Sequence, residues 1–409
     1  MSKANQPKPA AWRAGVIRVI TAGVAAVGVL ALAACSDFSF GPNSGISTRT
    51  VGVGEVLPTA AGETLGSGPV RVAVILPLSG PIAPVGGSMA NGAKLAMDFI
   101  TSSANISDNI TLVIKDSAGD ATTAAQKARE AVAEGAKLIL GPLKAEAVTS
   151  AGAVARSAGV PMIAFSNNSG AASAGVYLLN VLPEVEVRRS LTYAKSQGRK
   201  SFAAILPTND FGRIQEGAFR QAVSDLGLNA RALYTFSNET EARQAIEQAL
   251  PLLQSGTIDA LFLPDRATAP SFGVLLETAG VQKSALTIIG SADWDGDTTI
   301  TQTPFLAGAV YPAVDPAGQA ALAPQYQARF GTQPHAFTTI AYTAVLLANS
   351  ATLSQATPPY DRGQLTRSSG FNGRDGLFRF LPDGRSEYAL IMKQVVIGGS
   401  QQVDGPKLP

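Results

Sequence analysis

Between residues 70 and 397, short β-branched apolar runs alternate with longer segments whose apolar residues recur every three or four positions. Val70–Leu76 reads as a buried strand, with a loop at Pro77-Leu78-Ser79-Gly80-Pro81. A helix over about 88–100 then carries Met89, Ala93, Ala96, Met97 and Ile100 on one face. The next strand covers 110–115. Asp120 is placed to cap a following helix, in which Ala121, Ala124, Ala125, Ala128, Ala131 and Val132 share a face and Gly135 ends the run. The same cycle gives strands at 137–140, 160–165, 202–206, 231–236, 258–263 and 286–289, with helices between them. A helix at 335–350 and strands near 377–380 and 388–396 complete the pattern. Alternation of this kind predicts an α/β fold, and two successive sets of units predict two doubly wound parallel-sheet lobes.

A different apolar run comes earlier, from 19 to 32, preceded by Lys3, Lys8, Arg13 and Arg18. It is shorter than the roughly 20 residues of a membrane span, and Gly23 and Gly28 weaken it further. A basic start, a short apolar core and small residues at its end are the marks of a secretory signal. The ending Leu32-Ala33-Ala34-Cys35 resembles the bacterial lipoprotein signal, in which the cysteine is lipidated and becomes the mature N-terminus. A transmembrane helix and an ordinary buried cysteine are the competing readings. Cys35 is the only cysteine, so no internal disulfide is available. Residues 36–68 are rich in Gly, Ser, Thr and Pro and read as a tether with a reach of roughly 30 Å as a coil.

The body of about 340 residues is long for one core, which again favours two lobes. Net charge is +2 with no basic run, so a nucleic-acid partner has no electrostatic support. His335 is the only histidine, which leaves little for a Ser-His-Asp arrangement or a His/Cys metal cluster. It follows Pro334 and reads as a capping or packing residue. No Gly-x-x-x-x-Gly-Lys phosphate loop is present. Asp293-Trp294-Asp295-Gly296-Asp297 has the acids of a calcium loop, but its glycine is misplaced and Pro304 stands at position twelve, so it reads as a turn. Neither an enzyme nor a cofactor is expected.

From Val70 to about residue 397 the chain resembles the type I periplasmic binding-protein family, the leucine/isoleucine/valine-binding class. The residues that carry the likeness are Leu76-Pro77-Leu78-Ser79-Gly80, Asn91-Gly92-Ala93-Lys94-Leu95-Ala96, Gly141-Pro142-Leu143 and Gly159-Val160-Pro161. Asn209-Asp210-Phe211-Gly212 and Phe371-Asn372-Gly373-Arg374-Asp375-Gly376 belong to the same set. The resemblance implies lobes joined by a three-crossover hinge and closing on a ligand. Crossovers are expected near 182–186, 305–312 and 365–372. The first lobe would comprise 69–185 plus about 306–365, the second 186–305 plus about 366–397, with 398–409 as a tail.

Ligands of doubly wound sheets lie beyond the carboxyl ends of the strands. That places Ser79, Gly80, Lys144, Ala145, Glu146, Ser166, Asn167 and Asn168 at the cleft in the first lobe. Asp210, Phe211, Asp265, Arg266, Asp293 and Trp294 are their counterparts in the second. Each has a plainer reading as a loop polar residue or helix cap. In receptors of this class the loop after the third strand resembles a hydroxyl-rich run that receives the ligand carboxylate. Here it is Lys144-Ala145-Glu146-Ala147, without hydroxyls, and Glu146 would repel a carboxylate.

Two functions are expected from these features. One is a lipid-anchored receptor that delivers a small polar, amino-acid-like ligand to the membrane subunits of an ABC importer. The other is a lipoprotein similar to penicillin-binding protein activators, acting on a peptidoglycan synthase. Ser36 after the cysteine is compatible with the outer membrane. Both readings put the chain on the periplasmic face of the envelope, held by lipid alone.

Overall fold

A computed structural model describes residues 58–409. Cys35, the signal-like segment 1–35 and most of the tether lie outside the described residues. No described helix is long and apolar enough to cross a membrane.

The first lobe is built on β1 (Glu63–Leu65), β2 (Val70–Leu76), β3 (Ile110–Asp116), β4 (Leu138–Leu140), β5 (Met162–Ala164) and β6 (Val176–Leu178), in the spatial order β1-β3-β2-β4-β5-β6. Strands β2 to β6 pair in parallel, and β1 is an antiparallel edge on β3. Residues 72–76 and Leu138–Leu140 are buried along their whole length, as expected for strands covered on both faces. Helices α1 (Ala83–Ser102), α2 (Ala121–Ala133) and α3 (Ala145–Ser157) cover the faces. The Asp120 carboxylate accepts from Thr123 N at 2.8 Å and caps α2.

The second lobe holds α4 (Pro183–Ser196), β7 (Ser201–Pro207), α5 (Asp210–Asp225), β8 (Asn229–Phe236), α6 (Glu239–Gln254), β9 (Ala260–Phe262), α7 (Ala269–Thr278), β10 (Thr287–Ile289), α8 (Thr298–Gln302) and β11 (Val310–Ala313). Its seven-stranded sheet has the order β16-β15-β11-β10-β9-β7-β8, with β7 to β11 parallel. Strands β15 (Leu390–Val396) and β16 (Gly399–Lys407) add antiparallel edges. The sheet separates two apolar cores, one centred on Ile246, Leu261 and Phe272 and the other on Leu191, Phe219 and Phe262.

Between β11 and β15 the chain returns to the first lobe. It forms α9 (Ala317–Phe330), α10 (Thr338–Asn349) and a small antiparallel sheet of β12 (Phe371–Gly373), β13 (Gly376–Phe380) and β14 (Ser386–Tyr388). Phe371, Phe378, Phe380 and Tyr388 pack into the first lobe's core. His335 N donates to Ser88 Oγ at 2.9 Å, and His335 Nδ1 accepts from Phe337 N at 3.1 Å, just ahead of α10.

Several expected boundaries move. The tether does not run free to residue 68: β1 pairs with β3, and Lys115 Nζ donates to Ala61 O at 2.7 Å. Residues 310–313 belong to the second sheet, because β10 and β15 both need β11 as their partner. Residues 371–388 pack on the first lobe, where their aromatic rings are buried together. The second and third crossings therefore fall near 314–316 and at Ala389. The segment 398–409 is a paired edge strand rather than a loose tail.

Candidate functional site

Strand order reverses between β3 and β4 on either side of β2, and between β8 and β9 on either side of β7. These are topological switch points, where diverging loops leave a crevice at the carboxyl edge. The loop after β2 carries Ser79 and Gly80, and the loop after β4 leads to Lys144, Ala145 and Glu146. In the second lobe the loop after β7 leads to Asp210 and Phe211, and the loop after β9 carries Asp265 and Arg266. The remaining candidates sit one strand further out. Ser166, Asn167 and Asn168 follow β5, and Asp293 and Trp294 follow β10.

Each lobe shapes its first switch-point loop by the same close approach. A Cβ on Gly86 would lie 2.0 Å from Pro77 O, and a Cβ on Gly212 would lie 1.7 Å from Pro207 O. Only glycine lets the first turn of α1 or α5 pack this tightly against the strand end.

In the first lobe the backbone donors of the loop are well matched. The Asp116 Oδ1 atom, at the end of β3, accepts from Leu78 N at 2.8 Å, Ser79 N at 3.2 Å and Ala118 N at 2.7 Å. Burial alone would raise the carboxyl, but the Ser79 hydroxyl and these amides outweigh it and hold the group below the usual range. Ser79 itself is exposed. Ser166 is buried, and its Oγ accepts from Asn168 N at 3.1 Å; the Asn168 carbonyl oxygen in turn accepts from Gly170 N at 2.9 Å. Lys144 and Glu146 are exposed at the start of α3, and neither makes an ion pair among the described residues. Asn167 is also exposed.

The second lobe is less settled. Asp210 pairs with Arg213 on the first turn of α5, which Asn209 caps by accepting from Gly212 N at 2.9 Å. Asp265 accepts from Thr268 Oγ1 at 2.7 Å and so shapes the turn before α7; Arg266 is exposed. Asp293 is exposed, but its neighbour Trp294 is fully buried against Tyr311 and Gly290, with its indole N–H unpartnered. Trp294 is thus a core residue rather than a cleft residue. The large flat ring fills the space left above Gly290, which removes it from solvent. The 293–297 segment is a turn: Asp297 caps α8, and Asp295 pairs with Lys393 at 2.6 Å.

Sequence reasoning missed a buried polar group beneath these loops. Glu186 and Ser190 on α4 and Gln215 on α5 face one small void at the ends of β9, β10 and β11. Ser190 Oγ and Gln215 Oε1 are buried with no hydrogen-bond partner among the described residues. Burial pushes the Glu186 carboxyl up to about 8, with Asp293 and Glu184 adding repulsion and the Ala292 amide opposing them. The available signal was the i, i+4 spacing of Glu186 and Ser190, which puts both on one side of α4.

Beside the hinge lies a cavity of about 520 Å³ shared by the lobes. Asn168 and Ser169 come from the first lobe, Arg213 and Ile214 from α5, and Glu184 and Arg188 from α4. Ser169 Oγ donates to Glu184, tying the β5 loop to the hinge helix. Of the residues singled out in the sequence, only Asn168 lines this cavity. No described cluster of three or more His, Cys, Asp or Glu could hold a metal ion.

The arrangement offers polar and charged groups at the carboxyl edges of both sheets. A crystal structure of a putative branched-chain amino acid ABC transporter protein from Rhodospirillum rubrum matches with a TM-score of 0.69 and 22% identity, covering 82% of this chain and 99% of that one. An ABC transporter substrate-binding protein from Desulfitobacterium hafniense, solved in complex with Leu, matches with a TM-score of 0.59 and 16% identity, covering 82% and 99%. At these identities the likeness shows the fold. A Leu/Ile/Val-binding protein, BraC3, of Rhizobium johnstonii is 31% identical over 75 residues, which is 18% of this chain and 20% of that relative. A family model described as periplasmic binding protein matches residues 69–372, most of the folded body. The chain therefore belongs to the periplasmic binding protein family, whose members are extracytoplasmic solute-binding proteins and not enzymes.

Proposed function

We propose that this protein is a lipid-anchored solute receptor that closes its two lobes on a small polar, amino-acid-like ligand for delivery to an ABC importer. The observation that carries the reading is the placement of polar residues from both lobes at switch points: Ser79, Lys144 and Glu146 on one side, Asp210, Asp265 and Arg266 on the other. The Desulfitobacterium hafniense protein supports the ligand class, since it was solved with leucine bound. Closure would be a hinge motion at the three crossings. Lys144 and Glu146 add a charge of each sign to the first-lobe side and favour a ligand with polar or charged groups beyond its ammonium and carboxylate over a simple aliphatic amino acid. A thermal-shift and calorimetric screen with amino acids, amides and short peptides tests the proposal. A saturable hit whose affinity falls in Lys144→Ala and Asp265→Asn is the expected result. Silence across the panel removes the reading.

A second reading is regulation of a peptidoglycan synthase by contact. Ser36 and the exposed Glu146, which makes no ion pair among the described residues, favour it, the first through outer-membrane sorting and the second by repelling a carboxylate. Co-purification of a synthase with the lipidated chain, and of no importer, would decide for it. For either reading, Cys35→Ala is expected to abolish labelled-palmitate incorporation.

A further inference from the structure

We propose that the cavity between α10 and the β12–β13 hairpin is a second binding site, separate from the interlobe cleft, for a carboxylate-headed amphiphile. The cavity has a volume of about 410 Å³, within the usual range for small-molecule sites. It shares no lining residue with the switch-point loops. Its apolar wall is formed by Leu346, Leu347, Phe371 and Phe378, and the last three are buried members of the first lobe's core.

Two arginines stand on its rim. The Arg367 guanidinium lies 4.1 Å above the Phe371 ring, and that of Arg374 lies 4.7 Å above the Tyr342 ring. Arg367 donates through Nε to Gly370 O at 2.9 Å, and Arg374 through Nη2 to the Tyr342 hydroxyl at 3.2 Å. The other guanidinium N–H groups have no acceptor among the described residues. Neither arginine has a carboxylate partner there, whereas nearby Arg379 and Arg385 pair with Glu387 and Asp383. The adjacent acid, Asp375, is turned inward, accepting from Thr339 Oγ1 at 3.0 Å.

Stacking fixes both guanidiniums before any ligand arrives, so little rotamer freedom is lost on binding. Two uncompensated cations beside a wall of Phe and Leu match a head that accepts several hydrogen bonds and a body that prefers to leave water. A bare inorganic anion would leave the apolar wall unused, and a neutral amphiphile would leave the guanidiniums unpaired.

The test is calorimetric titration of the folded chain with octanoate, with octan-1-ol and inorganic phosphate as the body-only and head-only probes. Saturable one-to-one binding of octanoate is expected, at least tenfold tighter than either probe. Arg367→Gln should weaken it at least tenfold with the unfolding midpoint retained, and Arg367→Lys should restore part of the loss. Arg243→Gln, an exposed arginine on α6, should leave it unchanged. No saturable octanoate binding overturns the proposal. So does equal binding by Arg367→Gln, or equal loss in Arg243→Gln. Because the cavity shares no lining residue with the switch-point loops, failure of the amino-acid screen would leave this result standing.

Discussion

The two lobes build their switch-point loops alike and finish them differently. Both press a helix glycine, Gly86 or Gly212, against a strand-end proline carbonyl. In the first lobe, Asp116 then satisfies three backbone amides of the neighbouring loops. In the second lobe, Glu186, Ser190 and Gln215 meet at a void with acceptors left unmatched. Buried polar groups without partners cost free energy, so a region that keeps them is held less firmly than one that satisfies them. The contrast is confined to the switch-point loops: those of the first lobe have their amides satisfied, and those of the second lie over acceptors left without donors.

The comparison can be broken at its shared element first. Gly86→Ala and Gly212→Ala should each destabilise by about 3 kcal/mol, since each Cβ would collide with backbone that cannot step aside. Urea denaturation measures this. A cost below about 1 kcal/mol in one lobe alone would show that the device is not shared.

Next in size is Asp116→Ala, which leaves three amides without their acceptor and should lose about 2–3 kcal/mol. Asp116→Asn, which keeps an oxygen, should lose less. Because the Asp116 carboxyl titrates below its ordinary value in the fold, its contribution is present above that ordinary value and is lost as pH falls through the lowered one.

The second lobe should respond to pH in the opposite sense. Glu186 is raised from 4.5 to about 8, so the folded state holds a proton that the unfolded chain has released. Stability from this group is fully present below about 4.5 and declines as pH rises towards 8. Asp375, on the β12–β13 hairpin that packs on the first lobe, behaves likewise over a lower window, from 3.8 to about 6. Glu186→Gln should therefore flatten the arm between about 6 and 8 and make the arm between 4.5 and 6 shallower, leaving there the slope of Asp375. A pH profile unchanged by that substitution would remove Glu186 from the account.

The smallest effect is expected at the exposed positions. Glu146→Gln should change stability by less than about 0.5 kcal/mol, while shifting any ligand affinity that depends on the cleft charge. A large loss of stability would mean that Glu146 is structural.

Much of this was legible in the chain. Strands such as Val70–Leu76 show up because burial on both faces demands uninterrupted apolar residues, and helices such as α2 because Asp120, the alanine face and Gly135 mark start, side and stop. The loops at Ser79, Lys144, Asp210 and Asp265 follow from strand ends alone. The edge strand β16 was missed because its Gly, Ser and Gln residues lack an apolar face and it depends on pairing with β15. Residues 371–388 were given to the wrong lobe because an aromatic strand does not say which core it will enter. Trp294 was misplaced for a related reason: a turn sequence rich in Asp hides a ring that fills the space above Gly290.

The alternation of elements, the two sets of units and the loops that carry the candidate site are written in the order of residues, because those depend on local burial and capping. That Asp116 is satisfied, that Glu186 meets Ser190 and Gln215, and that Arg367 and Arg374 flank one apolar wall emerges from packing. Each of these joins residues distant in the chain, and whether a charge is paired, stranded or shared depends on what packing brings beside it.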